Sequence, residues 1–309
     1  MAAHRTDLAL VRRAGGDSGV VGAAVGGMKR LIVVVVVITA AGRGAAAQVP
    51  DSAGGHTPPF FTYRDAVLAG AFALGTVAMF PIDKTFAGRV QRQNIQENRT
   101  LHDAANFFGF MGRPFPQIAA PVLYGVGRLT HQRRVAALGL HGAEAMILST
   151  ALTSALKLSL GRARPYVYHD SNSTSFAFMR GFKGHDFESF PSGHTTTAFS
   201  VASAVTAETS HWADQGHWFR GSKLLIGTVM YGGASLVGLS RAYHDQHWAS
   251  DIVAGAAIGT FSGIKVVRFD YRHPQNRLDR WLLSAQVSPG PDGSVVVAWS
   301  AHTPLGSGF

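Results

Sequence analysis

Apolar positions along this chain gather into blocks of helical length, parted by short polar breaks. Six blocks stand out: Ala66–Phe80, Pro116–Leu129, Val135–Leu156, Thr195–Ala207, Leu224–Leu239 and Ile252–Val267. None is a pure Leu/Ile/Val run. Gly, Ala, Ser and Thr are threaded through each, and such small residues let neighbouring helices approach closely. Ala66–Ile82 and Leu224–Ser240 carry no charge at all, which places them at the lower edge of what crosses a bilayer. The pattern suits either a compact soluble bundle or a membrane-embedded one. Near the C-terminus, "LLSAQVSPGPDGSVVVAWSAH" reads as two short strands around a Pro-Gly-Pro-Asp-Gly turn. The expected fold is therefore mainly α, a compact bundle of about six core helices with a hairpin-like tail.

The N-terminal region follows a different pattern. Met28-Lys29-Arg30 precedes the apolar run Leu31–Ala41, and Ala45-Ala46-Ala47 follows. A charged start, a short apolar stretch and an Ala-x-Ala site describe a secretory signal peptide cleaved after Ala47, with Met28 as an alternative start. The bland reading is an uncleaved anchor helix, for which the run is short. Residues 48–60 are rich in Pro, Gly and Ser and read as a linker. The expected organisation is leader 1–47, linker 48–60, helical domain 61–270 and C-terminal extension 271–309. The mature chain is expected outside the cytoplasm, in the cell envelope on the periplasmic side, in association with a membrane.

Composition narrows the classes further. At 309 residues the chain is long enough for a sizeable core, and only 15% of it is charged. The formal charge is +10, which suits an anionic membrane face, a small anionic substrate or nucleic acid. No Lys/Arg-rich run with interleaved aromatics occurs, so nucleic acid is set aside. With 0 cysteines, disulfides and thiolate-held metals are excluded. The mean hydropathy of +0.11 lies between a soluble globule and a chain of strong membrane spans.

Three short segments carry candidate chemistry. In "KLSLGRARP", Lys157 and Arg164 lie two helical turns apart, so a continuous helix would put both on one face. Alone, cations at a helix end only complement its dipole. Arg162 would point away from that face, toward solvent or lipid headgroups. In "SFPSGHTTTAF", Pro191 and Ser192 read as a helix start, with Ser192 as N-cap. The backbone N–H groups of Ser192 and Gly193 would meet an anion there, and His194 would exchange a proton with it. In "SRAYHDQHWASD", Arg241 closes an apolar block, and His247 and Asp251 stand four apart. On a helix that carboxylate would hold the imidazole; in isolation such a pair is usually a surface ion pair. His185, Asp186 and Glu188 would line the approach to such a site, the bland alternative being a polar loop. His141 and Glu144 share a face of an apolar helix and read as a buried polar pair or a lipid-headgroup contact.

In order, Lys-x6-Arg-Pro, Pro-Ser-Gly-His and Ser-Arg-x5-His-x3-Asp resemble the tripartite signature of a known superfamily. Its members are type 2 phosphatidic acid phosphatases, bacterial class A acid phosphatases and vanadium haloperoxidases. Every signature position is filled, Pro165, Gly193 and Ser240 included. The resemblance, to the phosphatase branch, implies that Lys157, Arg164 and Arg241 grip phosphoryl oxygens, with Ser192 and Gly193 completing the cradle. It further implies that His247 attacks phosphorus, Asp251 orients its ring, and His194 protonates the leaving oxygen and then activates water. No cofactor would be needed, since the cations do the electrostatic work, and vanadate would act as an inhibitor. The expected activity is phosphatase action on phosphomonoesters or pyrophosphates, foremost lipid phosphates.

Four other readings stand beside it. A periplasmic non-specific acid phosphatase would take soluble esters. A haloperoxidase would use vanadate as cofactor, although such enzymes are typically much longer. A non-catalytic phospholipid binder would keep the fold alone. In a metal-dependent phosphohydrolase, His244, Asp245 and His247 of "HDQH", with His185-Asp186, would hold the ion.

Overall fold

The computed structural model describes residues 62–216, 221–273, 276 and 282–283, together with the backbone of 285–289 and 295–299. The expected leader, cleavage site and most of the linker lie outside them. All six apolar blocks are helical. In chain order the helices are α1 (Tyr63–Met79), α2 (Asp83–Val90), α3 (Gln93–Gln96), α4 (Arg99–Gly112), α5 (Phe115–Leu129) and α6 (Arg133–Leu160). After a long connection containing three 3-10 turns come α7 (Gly193–Asp214), α8 (Gly221–Tyr243) and α9 (Ala249–Arg272). The protein is mainly helical. In the tail, the backbone of Ala285–Pro289 runs antiparallel to Val295–Trp299.

Helix α7 is central, packed against α6, α8 and α9. Its closest neighbour is α9, and glycine is the reason. Gly255, Gly259 and Gly263 recur every four residues along one face of α9. A Cβ on Gly259 would fall 2.3 Å from the Thr196 carbonyl oxygen, and one on Gly263 2.4 Å from that of Ser200. Only hydrogen at these positions permits the observed approach. The facing side of α7 is accordingly small and hydroxylated. Its buried hydroxyls are satisfied within their own helix: Thr196 Oγ1 donates to the Ser192 carbonyl at 2.9 Å and Ser203 Oγ to that of Phe199 at 2.7 Å. Larger apolar side chains fill the α7–α8 side, where Phe199, Val237 and Ala234 pack with Phe108 and Met111 of α4.

Helix α4 lies outside the six expected blocks. Ala105, Phe108 and Met111 sit at helical spacing and turn toward the core, while Phe107 and Phe110 are exposed. Among the described residues, four segments are long and apolar enough to cross a membrane: Tyr63–Val90, Arg133–Tyr168, Ser222–Tyr243 and Ala249–Arg272. The first keeps its apolar side chains outside the bundle, Leu74 being 72% exposed and Val77 59%.

Candidate active site

The loops and helix ends that carry the three motif segments meet at one end of the bundle. A cavity of about 300 Å³ opens there, lined by Lys157, Arg164, Gly193, His194, Arg241 and His247. The two remaining expected site residues, Ser192 and Asp251, are fully buried behind its wall.

Lys157 and Arg164 reach the cavity by a different route from the one the spacing suggested. Helix α6 stops at Leu160, and Gly161 caps it in the left-handed region at φ 50°, donating to the Lys157 carbonyl at 3.1 Å. A side chain at Gly161 would also strike Arg180 Cβ, at 2.5 Å from the added Cβ. Lys157 therefore projects from the last helical turn and Arg164 from the segment beyond it. Arg164 is held by uncharged partners: its Nε donates to the His185 carbonyl at 2.8 Å and its Nη1 to Gln246 Oε1 at 2.7 Å. Lys157 Nζ donates to the Glu188 carbonyl. Arg241 Nε is buried and has no hydrogen-bond partner among the described residues. Three cations thus converge with no carboxylate bound to any of them among the described residues, which is the electrostatics of an anion site.

Helix α7 begins at the cavity with Gly193, and the first N–H groups of a helix lack partners within it. The Ser192 N–H does not join them, because it donates to the Asp251 carbonyl at 3.0 Å. Ser192 Oγ accepts from Thr195 Oγ1 at 2.9 Å and makes no capping bond. The expected cradle of two backbone donors accordingly narrows to Gly193 and the residues after it. His194 stands in the first turn among Arg241, Arg113, Arg164 and Lys157. Burial first, and then those charges, push its imidazole down to about 3.

His247 precedes helix α9 rather than lying within it, so the pair with Asp251 is not the helical i, i+4 contact the spacing suggested. Trp248 is the N-cap and Asp251 the third helical residue, whose Oδ2 accepts the Trp248 N–H at 2.9 Å. The same oxygen accepts from Ser189 Oγ at 2.5 Å and lies 3.6 Å from His247 Nδ1. His247 is 3% exposed. Burial, reinforced by Lys157 and Arg164, holds its imidazole well below the usual histidine value, so the ring is neutral.

Arg162 overturns its expected place in solvent or among headgroups, for it is fully buried. Its guanidinium bridges Asp83, at 2.6 Å, and Asp251 Oδ1. It also donates to Ser250 Oγ at 2.7 Å and, through Nε, to the Ser173 carbonyl at 2.9 Å. The rings of Phe80, Phe176 and Trp248 surround it, with centroids 5.0, 4.9 and 5.5 Å away. Asp83 in turn accepts the Ser250 N–H at 2.8 Å. A buried ionic network therefore fixes Asp251, the residue next to His247.

Of the approach residues, His185 and Glu188 line the cavity. Asp186 instead accepts from the Tyr166 hydroxyl at 2.6 Å. Further lining residues, Arg113, Thr150, Thr153, Ser154 and Thr197, were not foreseen. Thr150, Thr153, Ser154 and Lys157 follow helical spacing, so that polar stripe was present in the sequence. Arg113 carried no such signal.

The donors of the rival metal reading do not converge. Asp245 sits against Asp170, and the His244 ring packs on His102 at 6.3 Å. Among the described residues, the group with metal-type spacing is His141, Glu144 and Asp270. His141 is a buried polar residue, and its ion partners are Glu208 and, at 3.2 Å, Asp270. That cluster lies toward the opposite ends of α6, α7 and α9, more than three helical turns from Lys157, His194 and Asp251.

Residues 139–274 match the family model of the PAP2 superfamily. A lipid A 1-phosphatase of Rhizobium johnstonii is 35% identical over 119 residues, 38% of this chain and 41% of that protein. One of Porphyromonas gingivalis is 32% identical over 118 residues, 38% of this chain and 20% of that protein. Lipid phosphate phosphatase 1 of Arabidopsis thaliana is 27% identical over 145 residues, 42% of this chain and 43% of that protein. The chain thus spans less than half the length of each of these relatives. Among solved structures, a transmembrane PAP2-type phosphatidylglycerolphosphate phosphatase from Bacillus subtilis aligns with a TM-score of 0.48 at 18% identity, covering 70% of this chain and 100% of that one. Aquifex aeolicus LpxE aligns with a TM-score of 0.40 at 21% identity, covering 60% and 95%.

Proposed function

The chain carries a PAP2 superfamily segment at residues 139–274, and we propose that it is a membrane-associated phosphatase of lipid phosphates. It works through a phosphohistidine, without a metal, on the periplasmic side. One observation carries this reading: Lys157, Arg164 and Arg241 converge with the start of α7, His194 and His247 in a single cavity. The printed names of the curated relatives favour a lipid ester over a soluble one. The four long apolar helices favour a bilayer setting.

The chemistry follows from the geometry. The three cations and the Gly193 end of α7 hold the phosphoryl oxygens and offset the charge that builds in the transition state. His247 is neutral and has Nδ1 turned to Asp251, so Nε2 is the nitrogen that attacks phosphorus. The phosphorus–oxygen bond to the lipid breaks, and His194 delivers a proton to the departing oxygen. His194, now neutral, takes a proton from a water whose oxygen attacks phosphorus, and the phosphorus–nitrogen bond breaks with its electron pair returning to the imidazole. Inorganic phosphate leaves and His247 is restored. The imidazolium formed at His247 is stabilised by Asp251, which Arg162 holds in place.

The test is phosphate release from a lipid phosphate in detergent and from p-nitrophenyl phosphate, with EDTA present, by wild type and His247→Ala. Rapid acid quench with a 32P-labelled substrate adds a covalent readout. Release that resists EDTA, falls at least about a thousandfold in the variant and leaves acid-labile label only on the wild type is expected. Release that needs a metal, or survives the substitution, would sink the mechanism.

A further inference from the structure

The connection between α6 and α7 contains a stretch that does not line the cavity. Between Asp170 and Asp186 it carries no acid, while Phe176, Phe178, Met179, Arg180, Phe182 and Lys183 crowd together. Phe178 is 84% exposed and Phe182 61%, with Met179 and Lys183 exposed beside them. The turn is nonetheless tied down. It closes the end of α6, whose last carbonyls lack helical partners. The Met179 N–H donates to the Ser159 carbonyl at 2.7 Å, the Ala177 N–H to that of Leu160 at 3.1 Å, and Arg180 Nε to that of Gly161 at 2.9 Å. Gly181 lies against the same helix, where an added Cβ would fall 2.2 Å from the Lys157 carbonyl oxygen. Met179 holds φ at 60°, a left-handed conformation that a bulky side chain rarely adopts. These attachments fix a backbone that leaves Phe178, Met179 and Phe182 outside the fold.

Together the two phenylalanines expose on the order of 300 Å² of apolar surface, at roughly 150–250 Å² per ring. A rigidly held patch of that size marks an interaction site. Its surroundings say what covers it. Phe176 of the same stretch packs edge-on against Phe80, which directly follows α1, at 5.9 Å. The outer face of α1 is apolar and exposed, and Ile82 beyond it is exposed as well. On α6, Leu152 and Leu156 stand four residues apart, exposed on one face and leading toward the turn. Both helices belong to segments long and apolar enough to cross a membrane. The phenylalanines thus continue an apolar outer surface past the ends of two such segments, and Lys183 sets an ammonium at its edge. Aromatic rings beside a cation, just beyond an apolar span, are the chemistry of the bilayer interface.

We infer that the turn Phe178–Lys183 inserts into the bilayer interface, with Phe178, Met179 and Phe182 below the headgroups and Lys183 among their phosphates. The occupant of this surface is phospholipid. Gly181 sits on the part of α6 that carries Lys157, and His185 and Glu188 of the same connection line the cavity. Insertion of the turn therefore sets the cavity at the level of the headgroups. A lipid phosphate then reaches Lys157 with its chains still in the bilayer. That consequence rests on the phosphatase reading above; the contact with lipid does not.

The chain contains 0 cysteines, so single spin labels can be placed without touching a native thiol. Phe178→Cys, Phe182→Cys and, as control, the exposed Asn172→Cys each carry a nitroxide in the full chain, reconstituted in vesicles of phosphatidylethanolamine and phosphatidylglycerol. Labels at 178 and 182 should show a several-fold higher ratio of collisions with oxygen to collisions with a water-soluble nickel chelate than the label at 172. A site about 5–10 Å into the boundary between headgroups and chains requires that difference. Equal ratios at all three positions mean that the turn faces water, and overturn the proposal. Shielding of 178 and 182 from both reagents means that protein covers the turn, and overturns it too. A kinetic arm uses Phe178→Ser/Phe182→Ser on dioleoyl phosphatidate in the same vesicles and on water-soluble dihexanoyl phosphatidate. KM for the first should rise about tenfold through lost apolar burial, with kcat and the constants for the second unchanged. An unchanged KM, or equal losses on both substrates, refutes the delivery of lipid by this turn. If wild type releases phosphate from neither substrate, the phosphatase reading fails, and the collision ratios alone decide the contact with lipid.

Discussion

Arg162 and Asp251 form an ion pair in which both side chains are wholly withdrawn from solvent. Asp83 holds the same guanidinium from the other side at 2.6 Å. Two carboxylates thereby share one cation that does not line the cavity. Arg162→Met would leave both acids buried and uncompensated, at a cost of about 3–5 kcal/mol. The expected result is a lower Tm in detergent together with a loss of phosphate release, as Asp251 is no longer fixed. Arg162→Lys should not rescue it, because a single ammonium cannot bridge Asp83, Asp251 and Ser250 in the fork geometry of a guanidinium. A lysine variant with wild-type Tm and turnover would refute this role.

His194 is held down to about 3 by burial and by the cations around it. A phosphate dianion in the cavity cancels much of that positive charge, and removing repulsion favours the protonated ring. The His194 pKa should therefore rise when phosphate or vanadate binds, bringing the proton donor into play only with substrate present. Histidine NMR titration with and without phosphate, using His194→Gln to assign the resonance, measures the shift. An unmoved or lowered pKa would count against His194 as the acid.

Asp245, in the loop between α8 and α9, has φ 56° and sits against Asp170. Burial, with Asp170 beside it, pushes its carboxyl up to about 7 from an ordinary value near 3.8. Between those values the folded protein keeps a proton that the unfolded chain has already lost. Stability contributed by this group therefore falls as pH rises through that window. Asp245→Asn tolerates the left-handed backbone and removes the titration. Its Tm relative to wild type should climb between pH 4 and pH 8, and a difference independent of pH would contradict the assignment.

The six apolar blocks marked α1 and α5 through α9 because small residues and long uncharged stretches leave a strong helical trace. Helix α4 was missed because His102 and Asp103 interrupt its apolar positions, although Ala105, Phe108 and Met111 keep the spacing. The motif residues identified the cavity, but not how they reach it. Lys157 and Arg164 read as helical neighbours only if Gly161 is ignored, and a glycine just past a periodic run is a stop signal. Missing that stop also misplaced Arg162, since the direction of a side chain beyond a helix end depends on the turn. Arg113 was illegible for another reason: a lone cation acquires meaning only when tertiary packing sets Gly112 against His194.

The network around Arg162 joins parts of the chain that differ in kinship. Asp83 lies upstream of the segment that matches the PAP2 family model, yet it accepts from Arg162 and Ser250 within that segment. Lys265 likewise finds its carboxylate at Asp65, 2.5 Å away. The recognisable portion is thus not the self-sufficient portion. A gene cut at the borders of the matched segment would carry every motif residue and lose Asp83 and Asp65, the counter-charges of Arg162 and Lys265.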